Sequence, residues 1–337
     1  MKILVENSTW NNIGDAWYQS ALYSIIKDLY PNDEVYMGEG PIERAFRPNL
    51  DWQTKNAFKI MDYQSADVHI FSGPIIGKKL EVYDEKIKKI MDNGNQYAMI
   101  SVSCAGRPKE DKEYIKEFFR KYPPLFFSSR DPETYETFKD VIKNSYNGIC
   151  TAFTVNRTLP VDSFKAEKPF FISSFYRELE PYFYLKNSDK PCTIENIGLS
   201  RKKTIGFLDF KFARHLNFKR AQQESLNDFS IVRVVQDVNT RYNHINFSHP
   251  NSFISFNPLS YLAVTKSAEF VLSDRVHACA IGLAFNKPVQ FLYKTARAGI
   301  FDRLNFDYKS NNGIMYPNLN IIDDELGKLK DKILESI

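Results

Sequence analysis

At 337 residues the chain is longer than one ordinary hydrophobic core supports, so two domains are expected. Its 43% hydrophobic and 15% aromatic content, mostly 27 Phe and 19 Tyr, excludes a disordered chain. A formal net charge of +4 is too weak a bias to point to nucleic acid; it suits an anionic donor or membrane face, and equally an ordinary solvated surface.

In chain order, Met1 to Asn7 turns polar after three apolar residues, which reads as a first strand and not a signal peptide. No run approaches the roughly 18 apolar residues of a spanning helix, so a cytoplasmic protein with at most peripheral contact to the inner membrane face is expected. The first strand leads through Asn11-Asn12-Ile13-Gly14-Asp15 into a helix with Tyr18, Leu22, Ile25 and Leu29 on one face. Val68 to Phe71 ends in Ser72-Gly73-Pro74-Ile75-Ile76-Gly77, and Tyr97 to Val102 ends in Ser103-Cys104-Ala105-Gly106. Leu125 to Ser128 ends in Ser129-Arg130-Asp131-Pro132-Glu133, where Asp131 caps, Pro132 suits the first helical turn and Glu133 favours the dipole. Such strand–turn–helix units build parallel, doubly wound sheets, whose ligands bind beyond the carboxyl ends of the strands.

Residues 156–168 are polar and carry a proline, which marks a linker. The expected division is therefore a Rossmann-like domain over 1–155, the linker 156–168, a second Rossmann-like domain over 169–320 and a C-terminal helix over 321–337. In the second domain Phe170 to Ile172 ends in Ser173-Ser174, and Ser230 to Val235 ends in Gln236-Asp237. Cys104, Cys150, Cys192 and Cys279 show no paired spacing and lie in or beside apolar runs, so they read as buried thiols. No metal-ligand cluster, P-loop, dinucleotide fingerprint or nucleophile elbow is present, so neither a metal nor a bound cofactor is expected.

The most informative stretch is Ser273-Asp274-Arg275-Val276-His277, between the apolar run Ala268 to Leu272 and a helix carrying Ala280, Leu283 and Ala284. Ser273 or Asp274 is the expected N-cap. A helix start at the end of a strand suits anions, arginine adds a planar donor fork, and histidine adds a proton that moves near neutral pH. An arginine paired to a carboxylate beside a satisfied core histidine is the other reading. The turn at Asn12 likewise suits a sugar or phosphate, or is simply an N-capped helix start.

Taken together these turns resemble the polysaccharide pyruvyltransferase family. The matching residues are Asn12, Gly14 and Asp15, the turn from Ser72 to Gly77, the pair Arg130-Asp131, and Ser273-Asp274-Arg275-Val276-His277 in place of the family's Ser-x-Arg-x-His element. The resemblance runs over roughly residues 1–295, although the second turn has fewer glycines than is usual there. It implies two Rossmann-like domains with parallel sheets facing an interdomain cleft, as in the glycosyltransferase-B fold. It also implies transfer of the enolpyruvyl unit of phosphoenolpyruvate onto a sugar of a glycan or lipid-linked saccharide, giving a pyruvate ketal. Arg130 and Arg275 would then bind the donor from one cleft, His277 would protonate it, and Asp15 or Asp237 would take a hydroxyl proton. Asn12, Gly14, Ser273 and Asp237 complete the expected substrate contacts. Asp237 also reads as a solvated loop carboxylate, and Cys279 reads as core. The alternative activity on the same fold is a nucleotide-sugar-dependent glycosyltransferase.

Overall fold

In the computed structural model, residues 1–7, 10–38, 64–77, 80–200, 221–237 and 246–337 are described. Alternation of short apolar strands with amphipathic helices produces a first sheet of six parallel strands. They are β1 (Lys2–Val5), β2 (Glu34–Met37), β3 (Val68–Gly73), β4 (Gln96–Val102), β5 (Phe127–Ser129) and β6 (Ser145–Asn147). Their order is β2-β1-β3-β4-β5-β6, so the direction of winding reverses between β1 and β3. Every residue of β3 is buried, and every residue of β4 after Gln96, as a strand covered on both faces requires.

The crossovers are α1 (Ile13–Leu29), α2 (Leu80–Asp92), α3 (Lys109–Lys121) and α4 (Pro132–Phe138). Helix α3 carries Glu110 and Asp111 in its first turn and Arg120 and Lys121 in its last, matching both ends of its dipole. Its buried residues Ile115, Phe118 and Phe119 face a core in which Phe119, Phe127 and Phe138 meet edge-on at 5.4–6.0 Å. Asp131 caps α4 as expected, its carboxylate accepting from the Thr134 N–H at 2.8 Å.

The second sheet repeats the plan with parallel strands β7 (Phe170–Ser174), β11 (Phe229–Val234), β13 (Val271–Ser273) and β14 (Val289–Phe291). Strand β10 (Ser225–Leu226) and β15 (Ile314–Met315) add antiparallel edges, and β12 (Ser252–Phe253) pairs with β11. The order β10-β11-β7-β13-β14-β15 puts the reversal between β7 and β13. A separate hairpin joins β8 (Tyr182–Leu185) to β9 (Ile197–Ser200). Helices α5 (Pro258–Ser267) and α6 (Val276–Ala284) serve this sheet, and α7 (Leu319–Ser336) ends the chain.

Two compact units result: Met1–Leu159 with Thr295–Asn305 and Asn320–Ile337, and Pro160–Lys294 with Phe306–Leu319. The chain passes from one to the other within the 156–168 stretch. It differs from the sequence division at Thr295–Asn305, which lies inside 169–320 yet belongs to the first unit. The cause is packing: Phe301 meets Phe153 edge-on at 6.2 Å, and the Arg303 Nε–H donates to the Asn147 carbonyl at 2.9 Å. Helix α7 is tied to the same unit by the fork of Arg157 on Asp323 at 2.8 and 2.9 Å. Tyr146 adds a hydroxyl donated to buried Glu325 at 3.2 Å. Among the described residues no helix is long and apolar enough to cross a membrane.

Candidate functional site

At the reversal point of the second sheet, β7 ends at Ser174 and β13 at Ser273, hydrogen-bonded neighbours. The Ser273 hydroxyl donates its proton to the Ser174 carbonyl at 2.7 Å and accepts from the Arg275 N–H at 2.9 Å, so it is held by backbone. The buried Asp274 carboxylate accepts the N–H groups of Tyr176 (2.9 Å), Arg177 and Glu178 (2.7 Å) and fixes the loop after β7. Burial pushes its carboxyl above the usual range against the pull of those donors. Neither side chain caps α6, which corrects the expectation of a Ser273 or Asp274 N-cap. Both are held by the neighbouring strand and loop, and Arg275 occupies the cap position with no side-chain cap bond.

That correction decides where Arg275 points. Two residues apart on a regular helix diverge by about 200°, which would send Arg275 and His277 to opposite sides. Arg275 has φ −111° and ψ 124°, extended backbone outside the helix, so this constraint does not bind it. Its Nη1 donates to Asp237 Oδ2 at 2.9 Å, and its Cζ lies 4.7 Å over the Tyr176 ring. Burial works against the guanidinium charge, but the Asp237 carboxylate, with Asp274 and Tyr176 beside it, keeps the group protonated. Asp237 is therefore an ion-pair partner, 24% exposed, rather than a solvated loop carboxylate. His277 follows in the first turn of α6, 8% exposed. Cys279 lies deeper and fully buried, with burial raising its thiol well above the ordinary range, so it is core.

In the first unit the Asn12 side chain caps α1, accepting from the Gly14 N–H at 3.3 Å and donating to Asp15 Oδ1 at 3.3 Å. Asp15 is 6% exposed at that helix start. Arg130 is 2% exposed, with its guanidinium 5.7 Å from the centroid of the Tyr18 ring, which α1 supplies. It reaches the wall of a 280 Å³ cleft at the ends of β3, β4 and β5, shared with Pro74, Ser103, Arg107 and Arg297.

The structure thus gathers Ser273, Arg275, Asp237 and His277 in the second unit, and Asn12, Gly14, Asp15 and Arg130 in the first. Sequence reasoning missed Tyr176, Arg107 and Arg297. Arg107 had a signal, since it directly follows the polar turn at Gly106; Arg297 had none nearby.

A family model described as polysaccharide pyruvyl transferase matches residues 12–293. No curated protein matches the chain at a significant level. Among solved structures, S. aureus MnaA in its co-structure with UDP aligns at TM-score 0.55 and 12% identity, over 100% of this chain and 91% of that one. The putative UDP-N-acetylglucosamine 2-epimerase of Listeria monocytogenes gives 0.56 and 9%, with the same coverages. The UDP-GlcNAc 2-epimerase of Methanocaldococcus jannaschii, in complex with UDP-GlcNAc and UDP, gives 0.53 and 13% over 99% of each chain. At such identities these likenesses show the fold, two Rossmann-like units of the glycosyltransferase-B type. The family match spans the whole path from the Asn12 turn past the Arg275–His277 element, and the chain belongs to the polysaccharide pyruvyl transferase family.

Proposed function

We propose that the protein transfers the enolpyruvyl unit of phosphoenolpyruvate to two hydroxyls of a sugar in a glycan or lipid-linked saccharide, forming a pyruvate ketal. The observation that carries this is Arg275 held outside the helix geometry at a sheet reversal point, two residues before His277. The donor's carboxylate or phosphate pairs with the fork of Arg275, which Asp237 and Tyr176 keep aligned. His277 gives a proton to the vinyl CH2 carbon, which becomes a methyl group and leaves an oxocarbenium carbon. One sugar oxygen bonds to that carbon, and its proton returns to His277. The bond from carbon to the phosphate oxygen then breaks, the second sugar oxygen takes its place, and the second proton leaves with hydrogen phosphate. Asp237, already committed to Arg275, is a positioning residue, and no step is assigned to Asp15, Asn12, Gly14 or Ser273. No cofactor takes part in this scheme.

The test is incubation with phosphoenolpyruvate and a panel of β-galactosides, followed by phosphate release and the mass of the acceptor. Stoichiometric phosphate with a pyruvate ketal on the sugar is expected. Nucleotide-sugar-dependent glycosyl transfer is the second reading, favoured by the UDP in the S. aureus and M. jannaschii structures. Binding of UDP with no turnover of phosphoenolpyruvate would replace the first reading with the second.

A further inference from the structure

The β8–β9 hairpin carries a surface that the Arg275–His277 chemistry does not use. Its inward residues Phe183 and Ile197 belong to the core of the second unit, with Leu185 and Leu199 packed against it. Strand alternation then turns Tyr182 and Tyr184 outward together, about 7 Å apart along β8. They are 55% and 44% exposed. Across the hairpin Tyr182 faces Ser200 and Tyr184 faces Gly198, so β9 raises nothing bulky beside the rings. A Cβ on Gly198 would meet Cζ, Cε2 and Cε1 of Tyr184 before the hydroxyl oxygen, which is an approach onto the face of the ring. Tyr184 therefore lies flat on the glycine and turns its other face to solvent. Covering a bare strand glycine accounts for Tyr184 but not for Tyr182, which stands opposite a serine. Tyr316, also exposed, is fastened to the same hairpin by its hydroxyl, which donates to the Glu195 carboxylate.

Two features restrict what docks here. The outer edge of β8 is closed at Phe183: the Gln223 side chain accepts from its N–H at 3.2 Å and donates to its carbonyl at 3.1 Å, so no added strand pairs there. The exposed parts of Tyr182 and Tyr184 amount to about 200 Å², far below the roughly 800 Å² per partner of a stable protein interface. A sugar ring fits both limits. It is uncharged and of about the size of a tyrosine ring, and the C–H bonds of its face carry the partial positive charge that the negative face of an aromatic ring attracts.

We infer that Tyr182 and Tyr184 form a stacking platform for neutral sugar units of a glycan chain, apart from the reacting residues. The inference rests on the glycan acceptor of the proposed function: a second hold on the chain raises the effective concentration of its sugars at the enzyme.

Affinity electrophoresis of the full chain through gels holding β-galactan, β-glucan or α-mannan reads the platform without phosphoenolpyruvate or turnover. Retardation by at least one of the three is expected. Tyr182→Leu with Tyr184→Leu keeps an apolar cover over Gly198 but removes both ring faces, and should weaken binding roughly tenfold, about threefold per ring. Tyr182→Leu alone leaves Gly198 covered by its tyrosine and should weaken binding about threefold. Tyr182→Phe with Tyr184→Phe should stay within about twofold, because the faces bind and not the hydroxyls. An unchanged melting temperature confirms that the variants fold. His277→Ala should be retarded like the native chain, so loss of the ketal reaction and loss of the platform are separate results. No retardation of the native chain by any of the three glycans, or equal retardation of the native chain and the leucine variants, overturns the proposal. So does a sedimentation mass that falls to the monomer only in the leucine variants, since the tyrosines would then join two copies of the chain.

Discussion

The strand ends of the two units use arginine in opposite ways. In the second unit Arg275 meets Asp237, and buried Arg233 forks onto Glu180 at 2.8–3.1 Å. In the first unit Arg107, Arg130 and Arg297 gather on a cleft whose described lining residues include no carboxylate. The same sheet plan thus fixes arginine against a carboxylate at the strand ends of one unit and brings several arginines to one cleft in the other.

The largest effect that could break this contrast concerns His277. With the donor aligned by Arg275 and protonated by His277, His277→Ala should lower kcat by ~10²–10⁴ and change the donor KM much less. Steady-state kinetics with phosphoenolpyruvate checks this, and near-normal turnover at neutral pH would make His277 structural. Next comes the Glu180–Arg233 pair, with the partners 6% and 4% exposed. Glu180→Ala should cost about 3–5 kcal/mol of stability by leaving a buried guanidinium uncompensated. Calorimetric unfolding reads the loss, and a change under about 1 kcal/mol would show that the pair does not fix the second unit.

The strand ends were legible in the sequence because parallel strands buried on both faces are apolar runs that stop at polar turns, as at Ser72, Ser103, Ser129 and Ser273. The Arg275–His277 element was legible for the same reason. The β8–β9 hairpin was not: Tyr182-Phe183-Tyr184-Leu185 alternates between exposed and buried, but its exposed residues are tyrosines, so no polar period shows. The cap of α6 was misread because the side chain of Asp274 serves a loop almost a hundred residues earlier in the chain. The arginine cleft was invisible because Arg297 reaches it on a segment held by long-range contacts, Phe301 on Phe153 and Arg303 on the Asn147 carbonyl, which have no local signature.

Two smaller effects sharpen the comparison. Arg275→Lys keeps the charge but loses the fork and the stack on Tyr176, so the donor KM should rise roughly tenfold with a smaller change in kcat. An unchanged KM would mean that charge alone suffices there. The weakest expected effect is a pH dependence at His249, which burial, and then the charge of Arg233, holds below the usual histidine range. Its depressed pKa makes the unfolded chain bind the proton more readily. This part of the stability is therefore full above the unfolded histidine value and erodes as pH falls through the folded one. His249 is half-buried, so solvent screening keeps this loss small. Melting curves from neutral to mildly acidic pH measure it, and His249→Gln should flatten the slope if His249 is its source.

The central claim is that the enol carbon of phosphoenolpyruvate is protonated and its pyruvyl unit ends as a ketal on sugar. The most direct measurement is the reaction of phosphoenolpyruvate with a β-galactoside acceptor in deuterium oxide, followed by mass spectrometry and proton NMR of the sugar. The expected product carries a ketal methyl with a single deuterium, formed with matching inorganic phosphate and lost in the His277→Ala variant. An acceptor left unmodified by phosphoenolpyruvate but glycosylated from a nucleotide sugar would contradict the account.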